Sequence, residues 1–359
     1  MSNTLVDILK DVPPALDRAF ARALRQEAED RVRVLDIDRE KIVIFSDQHK
    51  GNRDGADDFL ACERAYNAAL AHYDRSGYTL VVLGDVEELW EERPRTVLKA
   101  YPHTLNLEAK FHRSGRYLRF FGNHDDAWSH PDLVDRLLGP ALGQPLKVYE
   151  AMIFHVRDEE AELGRLFLLH GHQGTLDSDR FASVSRLFVR YIWRPIQRLL
   201  KIHLNTPATD YELRQAHNIA MYSWSEAQEK VVLIAGHTHR PVFKSQSHEA
   251  LILESLRETE AKLAQDPRDP ALPRRAAELG AELEWVMAQN EQSPADLPLV
   301  EFKKPSYFNS GCCCYRDGDI TGLEISDGEV RLVRWPDDED RPQPKVLASV
   351  KLIDVFAAC

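Results

Sequence analysis

The sequence predicts a mixed α/β fold, because short apolar runs typical of buried strands alternate with amphipathic stretches typical of helices. The runs most typical of strands lie at residues 41–46, 79–83, 117–121, 166–169 and 231–235. Each of the five is followed, directly or after one glycine, by Asp, Asn or His. At 359 residues the chain has room for one large domain or two modest ones, and we predict one domain with insertions, over residues 41–345.

The N-terminal segment, residues 1–40, is predicted to be mostly helical, with Pro13 and Pro14 near the helix start. Its apolar face repeats every fourth residue, at Leu16, Phe20 and Leu24. Residues 57–77 fit a crossover helix between the first two strands, and residues 131–138 fit a short helix after the third. Strand and helix therefore alternate along the chain.

Two insertions interrupt the predicted domain. Residues 176–230 carry a basic amphipathic stretch that includes Arg186, Arg190 and Arg194, and we predict a helical cap there. Its cations are either a solvated face or a surface that binds an anionic or lipid-like substrate, and the sequence leaves both interpretations open. Residues 248–292 are predicted to form a helical hairpin.

Three strands are predicted after the hairpin, at residues 307–315, 320–325 and 330–335, followed by a C-terminal tail at 346–359. The formal charge of −12 argues against binding to nucleic acid, and no apolar run is long enough to span a membrane. The basic cap leaves peripheral membrane contact open. Without a recognisable signal peptide, a cytoplasmic location is expected, where cysteines stay reduced. We interpret Cys312, Cys313 and Cys314 as small apolar residues, with a redox sensor as the alternative.

The residues after the five strands predict a metal site. They form the motifs Asp47-Gln48-His49, Gly84-Asp85, Gly122-Asn123-His124-Asp125, His170-Gly171-His172 and Gly236-His237-Thr238-His239. Loops at the carboxyl ends of strands converge on one point, and oxygen with imidazole ligands suits Mn²⁺, Fe, Zn²⁺ or Co²⁺ better than Ca²⁺. Seven candidate ligands exceed what one ion needs, and a carboxylate such as Asp85 can bridge two ions.

These motifs, in this order, resemble those of the calcineurin-like metallophosphoesterases. The resemblance covers residues 47–239 and implies a four-layer sandwich of two mixed sheets flanked by helices. It implies two divalent ions, Mn²⁺ first, and hydrolysis of a phosphomonoester or phosphodiester by metal-activated hydroxide. One ion would be bound by Asp47, His49, Asp85 and His239, and the other by Asp85, Asn123, His170 and His237.

Within that resemblance, His124 follows the ligand Asn123 and is expected to donate a proton to the departing oxygen. Asp125 is expected to orient the His124 imidazole. His172 is expected beside the ligands rather than among them. Glu87 and Glu88 are expected to cap a helix, with tuning of the metal site as the alternative.

Residues 83–90 also resemble the UDP-2,3-diacylglucosamine pyrophosphohydrolases, so a lipid-linked or nucleotide-sugar diphosphate is an alternative substrate to a phosphorylated small molecule. That branch carries Arg where this chain has His124, and often Asp where it has His172. The third alternative is a scaffold of the same fold without activity. Such scaffolds usually lose ligands, and none is missing here. The native metal, the physiological substrate and the oligomeric state are not predicted.

Overall fold

The computed structural model describes residues 3–29, 33–174, 207–266, 268–289, 303–338 and 341–359. Its strands form two seven-stranded mixed sheets. They are β1 (Arg33–Asp36), β2 (Ile42–Phe45), β3 (Thr79–Leu83), β4 (Tyr117–Phe120), β5 (Val148–Tyr149), β6 (Ala151–Asp158), β7 (Ala161–Leu169), β8 (Val231–Ala235), β9 (Pro241–Phe243), β10 (Gln246–Ser247), β11 (Tyr307–Ser310), β12 (Ile320–Ser326), β13 (Glu329–Trp335) and β14 (Lys345–Lys351).

The helices lie before, between and after these strands. They are α1 (Asn3–Glu29), α2 (Glu63–Arg75), α3 (Pro94–Ala100), α4 (Pro102–Arg113), α5 (Pro131–Leu133), α6 (Gly139–Leu142), α7 (Pro207–Glu226), α8 (His248–Gln265), α9 (Ala271–Gln289) and α10 (Leu352–Ala358). Shorter helical turns at Asp126–Ser129 and Val134–Leu138 flank α5.

The first sheet, here the β2 sheet, has the order β14-β13-β12-β2-β3-β4-β5. Strands β2, β3, β4 and β5 run parallel, whereas β12, β13 and β14 add antiparallel neighbours. Every residue of β2 is buried, as expected for a strand covered on both faces. The three strands that precede the first three motifs are therefore adjacent and point the same way.

The second sheet, here the β8 sheet, has the order β1-β6-β7-β8-β11-β9-β10. Strands β7 and β8, which precede the last two motifs, are adjacent and parallel. Strand β11 continues the parallel set beside β8 and is antiparallel to β9. In each sheet, the strands that precede the motifs are therefore adjacent and end on the same side.

Three apolar clusters show how the layers stack. Alternate residues of β2 face opposite ways: Val43 and Phe45 pack with α2 and α4, whereas Ile42 and Ile44 pack between the sheets against residues such as Phe154 of β6. On the far side, α1 and α7 cover the β8 sheet. The order is helices, sheet, sheet, helices, and the central core aligns the ends of the two sheets.

Several boundaries differ from those predicted. Helix α1 begins at Asn3, so Pro13 and Pro14 lie inside it rather than near its start. Proline has no backbone N–H to donate within a helix, and burial of Val12 and Leu16 against the β8 sheet stabilises this turn instead. Strand β11 ends at Ser310, because the chain turns at Gly311 with a φ of 76°. The predicted tail 346–359 is instead β14, paired with β13, and α10, which packs in the core between the sheets.

The structure describes parts of both predicted insertions, residues 176–230 and 248–292. Helix α7 lies in residues 176–230, and its side chains Ala220, Tyr222 and Trp224 pack against the β8 sheet. Helices α8 and α9 span the stretch predicted as a hairpin and share a small apolar core of their own. Among the described helices, none combines the length and the hydropathy that a bilayer crossing requires.

Candidate metal centre

The five predicted motifs meet at one end of the two sheets. Backbone hydrogen bonds join the loops after β2 and β3, from Asp47 N to Gly84 O at 3.1 Å and from His49 N to Asp85 O at 2.9 Å. The loop after β4 joins them where Leu89 N donates to His124 O at 3.1 Å. The loop after β8 joins that after β7 through Gly236 N and His170 O, 2.9 Å apart. The loops of the two sheets meet where His237 N donates to Asp47 Oδ2 at 3.0 Å.

The backbone at this meeting point is strained. Five predicted ligands have the left-handed conformation that residues other than glycine rarely adopt: Asp47, His49, Asp85, His237 and His239, with φ between 49° and 69°. Such strain concentrates at functional sites, where the surrounding structure enforces it. The loops also need glycine for close approach, since a Cβ on Gly122 would lie 2.1 Å from Asp85 Oδ1. The left-handed backbone of these residues and the missing Cβ of Gly122 together allow the ligand side chains to lie close to one another.

The first group of side chains contains Asp47, His49 and His239, whose ligand atoms lie within 4.8 Å of one another. Asp47 Oδ1 is 3.2 Å from His239 Nε2, and His239 Nε2 is 3.1 Å from His49 Nε2. The other oxygen of Asp47 accepts from the Ser46 hydroxyl and from the backbone. One carboxylate oxygen is therefore fixed by the protein and the other faces imidazole nitrogens.

The second group contains Asp85, His170 and His237 and has the same spacing. Asp85 Oδ1 accepts from the backbone N–H of His124 at 2.8 Å, whereas Oδ2 lies 3.1 Å from His170 Nε2 and 3.8 Å from His49 Nε2. Asp85 thus stands between the two groups. His170 donates Nδ1–H to Leu83 O at 2.7 Å, which leaves Nε2 as the nitrogen that faces the carboxylate.

Both carboxylates favour positive charge around them. Burial opposes ionisation, yet His239 holds the pKa of Asp47 below its usual value, and His170 with His124 holds the pKa of Asp85 well below. Burial likewise opposes protonation of His170, but Asp85 and Asp47 raise its pKa to about 9. In this arrangement imidazolium supplies the cation that two buried carboxylates require.

Unsatisfied polar atoms test whether the site fits metal ions. Asp47 Oδ1, Asn123 Oδ1 and His170 Nε2 are buried and make no hydrogen bond within the described residues. All three belong to predicted ligands, and buried polar atoms ordinarily have a partner. Trp90 donates to the backbone carbonyl of Asn123 at 2.6 Å, which holds that residue in place. The donor set, two carboxylates, one amide oxygen and four imidazoles, fits two divalent cations of the Mn²⁺ to Zn²⁺ series.

His124 lies beside the first group and is oriented by Glu88. The His124 ring is within 4.8 Å of ligand atoms of His49 and Asp85, and its Nδ1 donates to Glu88 Oε2 at 2.7 Å. Trp90 stacks on it with the ring centroids 4.3 Å apart. Burial opposes the charged form, but the carboxylates of Glu88 and Asp85 raise the pKa of His124 to about 10. Because Nδ1 of His124 donates to Glu88, His124 could act as an acid only through Nε2.

The predicted roles of Asp125 and Glu88 are therefore corrected. Asp125 does not contact the His124 imidazole; its oxygens accept the backbone N–H groups of Gly122 at 2.6 Å, Asp85 at 3.1 Å and Val86 at 3.0 Å. It ties the loops after β3 and β4 together. Glu88 caps no helix, since α3 begins only at Pro94, and it accepts from both His49 and His124.

Glu87 does not cap a helix either. Its carboxylate is buried and pairs with Arg119, which also contacts Asp125 at 3.2 Å, and it accepts from Trp128 Nε1 at 2.8 Å. Burial opposes the charge of Arg119, and Glu87 with Asp125 raises its pKa well above its usual range. Arg119 therefore stays charged and connects β4 to the loop that carries Asp85.

Two further histidines surround His170 and His237. His172 is buried beside His170, with ring centroids 5.4 Å apart, and its role as a neighbour rather than a ligand stays a prediction. Burial and the charge of His170 lower the pKa of His172 to about 3. His217 of α7 contacts the Gly171 carbonyl and lies edge-on to His237 at 5.0 Å. The sequence offered no signal for His217, because it lies far from every motif.

The cap arginines Arg186, Arg190 and Arg194 fall outside the described residues, so their predicted contact with substrate has no structural counterpart here. No model of a known protein family matches the sequence, and no curated protein matches it.

Proposed function

We propose that this chain is a dinuclear metal-dependent phosphoester hydrolase of the calcineurin-like metallophosphoesterase type. The observation that carries the proposal is the pair of ligand groups joined through Asp85: Asp47, His49 and His239 on one side, His170 and His237 on the other. The buried Oδ1 atoms of Asp47 and Asn123, which lack hydrogen bonds among the described residues, support the same interpretation.

Two such ions would supply hydroxide near neutral pH and neutralise charge on the phosphate oxygens. The protein residues then have separate tasks. His49, His170 and His239 would hold ions through Nε2, because each Nδ1 contacts Glu88, Leu83 O or Cys314 Sγ. Such contacts fix the ring orientation of metal-binding histidines.

His124 would hold and donate a proton at Nε2, towards the oxygen that leaves phosphorus. Glu88 accepts from its Nδ1 and keeps the ring charged, while the stacked Trp90 fixes the plane of the ring. A positioned acid of this kind contributes about 10² to 10⁴ in rate. The raised pKa of about 10 applies to the protein without cations, which would lower it on binding.

The test is metal analysis followed by a substrate panel. Protein loaded with Mn²⁺ is expected to hold two ions per chain and to hydrolyse p-nitrophenyl phosphate or its bis-ester, with cyclic nucleotides and a nucleotide-sugar diphosphate as further substrates. Hydrolysis of the diphosphate alone would favour the pyrophosphohydrolase alternative. Two ions and no hydrolysis of any substrate would favour the scaffold, and at most one ion would refute the dinuclear proposal.

A further inference from the structure

Cys312 and Cys314 lie beside His239, whose Nε2 faces Asp47. Cys314 Sγ is 3.7 Å from the other ring nitrogen, His239 Nδ1, and one ring nitrogen of His239 and the Sγ atoms of both cysteines lie within 4.8 Å of one another. Cys313, between them, is buried in the core beside α2, and its Sγ is 3.9 Å from Thr321 O. Two thiols and one imidazole therefore form a cluster of their own.

We propose that His239, Cys312 and Cys314 bind a thiophilic d¹⁰ cation, with Zn²⁺ as the probe, at a third site that shares His239 with the candidate metal centre. Two sulfurs and one nitrogen are a soft donor set, unlike the oxygen and imidazole set of the two groups around Asp85. Three protein ligands leave a fourth position for a water or a solute.

The spacing fits tetrahedral coordination. With Zn–S near 2.3 Å and Zn–N near 2.05 Å, a tetrahedral angle separates sulfur and nitrogen by about 3.6 Å. The observed separation between Cys314 Sγ and His239 Nδ1 is 3.7 Å. Since Cys314 and His239 are only partly buried, an ion can reach the cluster from solvent.

The loop that carries the thiols is held in place from both sides. Cys312 N donates to Thr321 Oγ1 at 3.2 Å, and Cys313 N donates to Asp47 O at 3.1 Å. Gly311 makes the turn from β11 into this loop, and a Cβ there would lie 2.0 Å from Thr321 Oγ1. The two thiols are thus presented together before any ion binds, which lowers the entropic cost of binding.

Binding of the cation would release protons from its ligands. Each thiol loses its proton to solvent as sulfur bonds the cation, and His239 supplies its Nδ1 lone pair after losing any proton there. His239 Nε2 still faces Asp47 Oδ1 at 3.2 Å. Occupancy of the third site and of the first group would therefore be coupled through one ring, and the coupling acts equally in both directions.

The test uses Co²⁺ as a spectroscopic substitute for Zn²⁺. Metal-free protein, kept reduced with a phosphine, is titrated with Co²⁺ and followed by its sulfur-to-cobalt charge-transfer band. The predicted ligands of the dinuclear centre contain no sulfur, so this band reports Co²⁺ bound to thiols and not Co²⁺ at the dinuclear centre. We expect the band to develop in wild type and to disappear when Zn²⁺ is added in excess. Its absence in wild type would overturn the proposal.

Variants assign the band. Cys312→Ser and Cys314→Ser are each expected to weaken the Co²⁺ affinity of this site at least tenfold, whereas Cys313→Ser, the neighbouring control, keeps it. Asp85→Asn should retain the band while losing the other ions, so failure of the dinuclear proposal stays distinguishable.

Zinc-edge X-ray absorption of wild type needs no variant to fold. A sulfur shell at about 2.3 Å is expected once the site is filled, with two sulfurs for each zinc at the third site and none for zinc at the dinuclear centre. A shell of nitrogen and oxygen alone at every loading would mean that the thiols only hydrogen-bond to His239. Persistence of the charge-transfer band in a folded Cys312→Ser/Cys314→Ser double variant would also refute the assignment.

Discussion

The two sides of the candidate metal centre differ in what surrounds their histidines. On the Glu88 side, formed by Glu88, His49 and His124, one carboxylate accepts from both imidazoles. Burial opposes their charge, yet the carboxylates raise the pKa of His49 and bring that of His124 to about 10.

On the α7 side, formed by His172, His217 and His237, imidazoles pack against one another. Burial is the largest influence there and lowers all three pKa values, that of His172 to about 3 and that of His217 to about 4. The positions of the nearby carboxylates, rather than the number of histidines, favour the charged form of some rings and the neutral form of others. The Glu88 side suits proton donation, and the α7 side suits neutral imidazoles that hold or support a cation.

Asp85 is common to both sides, so its loss should remove the difference between them. Asp85→Asn is expected to abolish turnover and to weaken both ions together, because each loses the carboxylate that it shares with the other. Elemental analysis and initial rates measure this outcome. Asp132→Asn, at an exposed residue of α5, is the control and should behave as wild type. Full activity in Asp85→Asn would mean that the motif has been misread.

Removing His124 should affect chemistry on the Glu88 side only. His124→Ala is expected to lower kcat by about 10² to 10⁴ while leaving the metal content unchanged. A series of aryl phosphates measures how the loss varies with the leaving group, and it should shrink for good leaving groups, which need little protonation. An equal loss for all of them would assign His124 an electrostatic or structural role instead.

Removing the charge of Glu88 should have a smaller effect of the same kind. Glu88→Gln is expected to lower kcat by about 10- to 100-fold, the usual loss for a residue that orients another. In the His124→Ala background the same substitution should lower kcat less, because only the contact of Glu88 with His49 is then left to lose. If Glu88→Gln lowered kcat by the same factor in the His124→Ala background as in wild type, Glu88 would act independently of His124.

On the α7 side, His217→Ala should weaken binding of the ion held by His170 and His237 about tenfold, since it removes a contact to the Gly171 carbonyl and a ring beside His237. Calorimetric titration of the two ions resolves this effect. His112→Ala, which removes a half-buried histidine that contacts Pro145 O, is the control. Equal weakening of both ions would contradict a difference between the sides.

The smallest expected effect is on the stability of the metal-free protein. Burial opposes ionisation of Glu88, but His124 lowers its pKa from 4.5 to about 2, so its contribution is present above pH 4.5 and lost as pH falls. The pKa of His124 is raised from 6.5 to about 10, so its contribution is present below pH 6.5 and lost as pH rises. The pair therefore stabilises most between these two values.

Glu88→Gln should remove about 1 kcal/mol from the free energy of unfolding in that window and less outside it. Urea denaturation in chelator across the pH range measures the difference between variant and wild type. A difference that does not change with pH would contradict the charged pair.

The strands before the motifs were predictable because their signal is local. Strands β3 and β8 begin and end at the predicted residues, and β2, β4 and β7 contain most of theirs. A buried parallel strand is a continuous apolar run, and its ligand follows within a few residues. The mixed α/β class and the meeting of the motifs followed from the same pattern.

The partners of the site residues were not predictable, since they come from distant parts of the chain. Glu88 contacts His49, 39 residues before it, and His124, 36 residues after it. Asp125 was expected beside His124, but its oxygens accept from the backbone of the loop after β3 instead. Sequence spacing does not show which of two nearby carboxylates reaches a given ring.

The sequence by itself determined the fold class, the strands and the residue types at the carboxyl ends of those strands, because each depends on neighbours within a few positions. Only the tertiary structure decided that Glu88 holds His124, that Asp125 joins two loops, and that Cys312 and Cys314 lie together beside His239. These contacts join loops that follow adjacent strands of one sheet: β3 and β4 for Glu88 and Asp125, and β8 and β11 for the two thiols. The order of strands in a sheet is a tertiary property, because it brings together side chains whose separation along the chain carries no information about their distance.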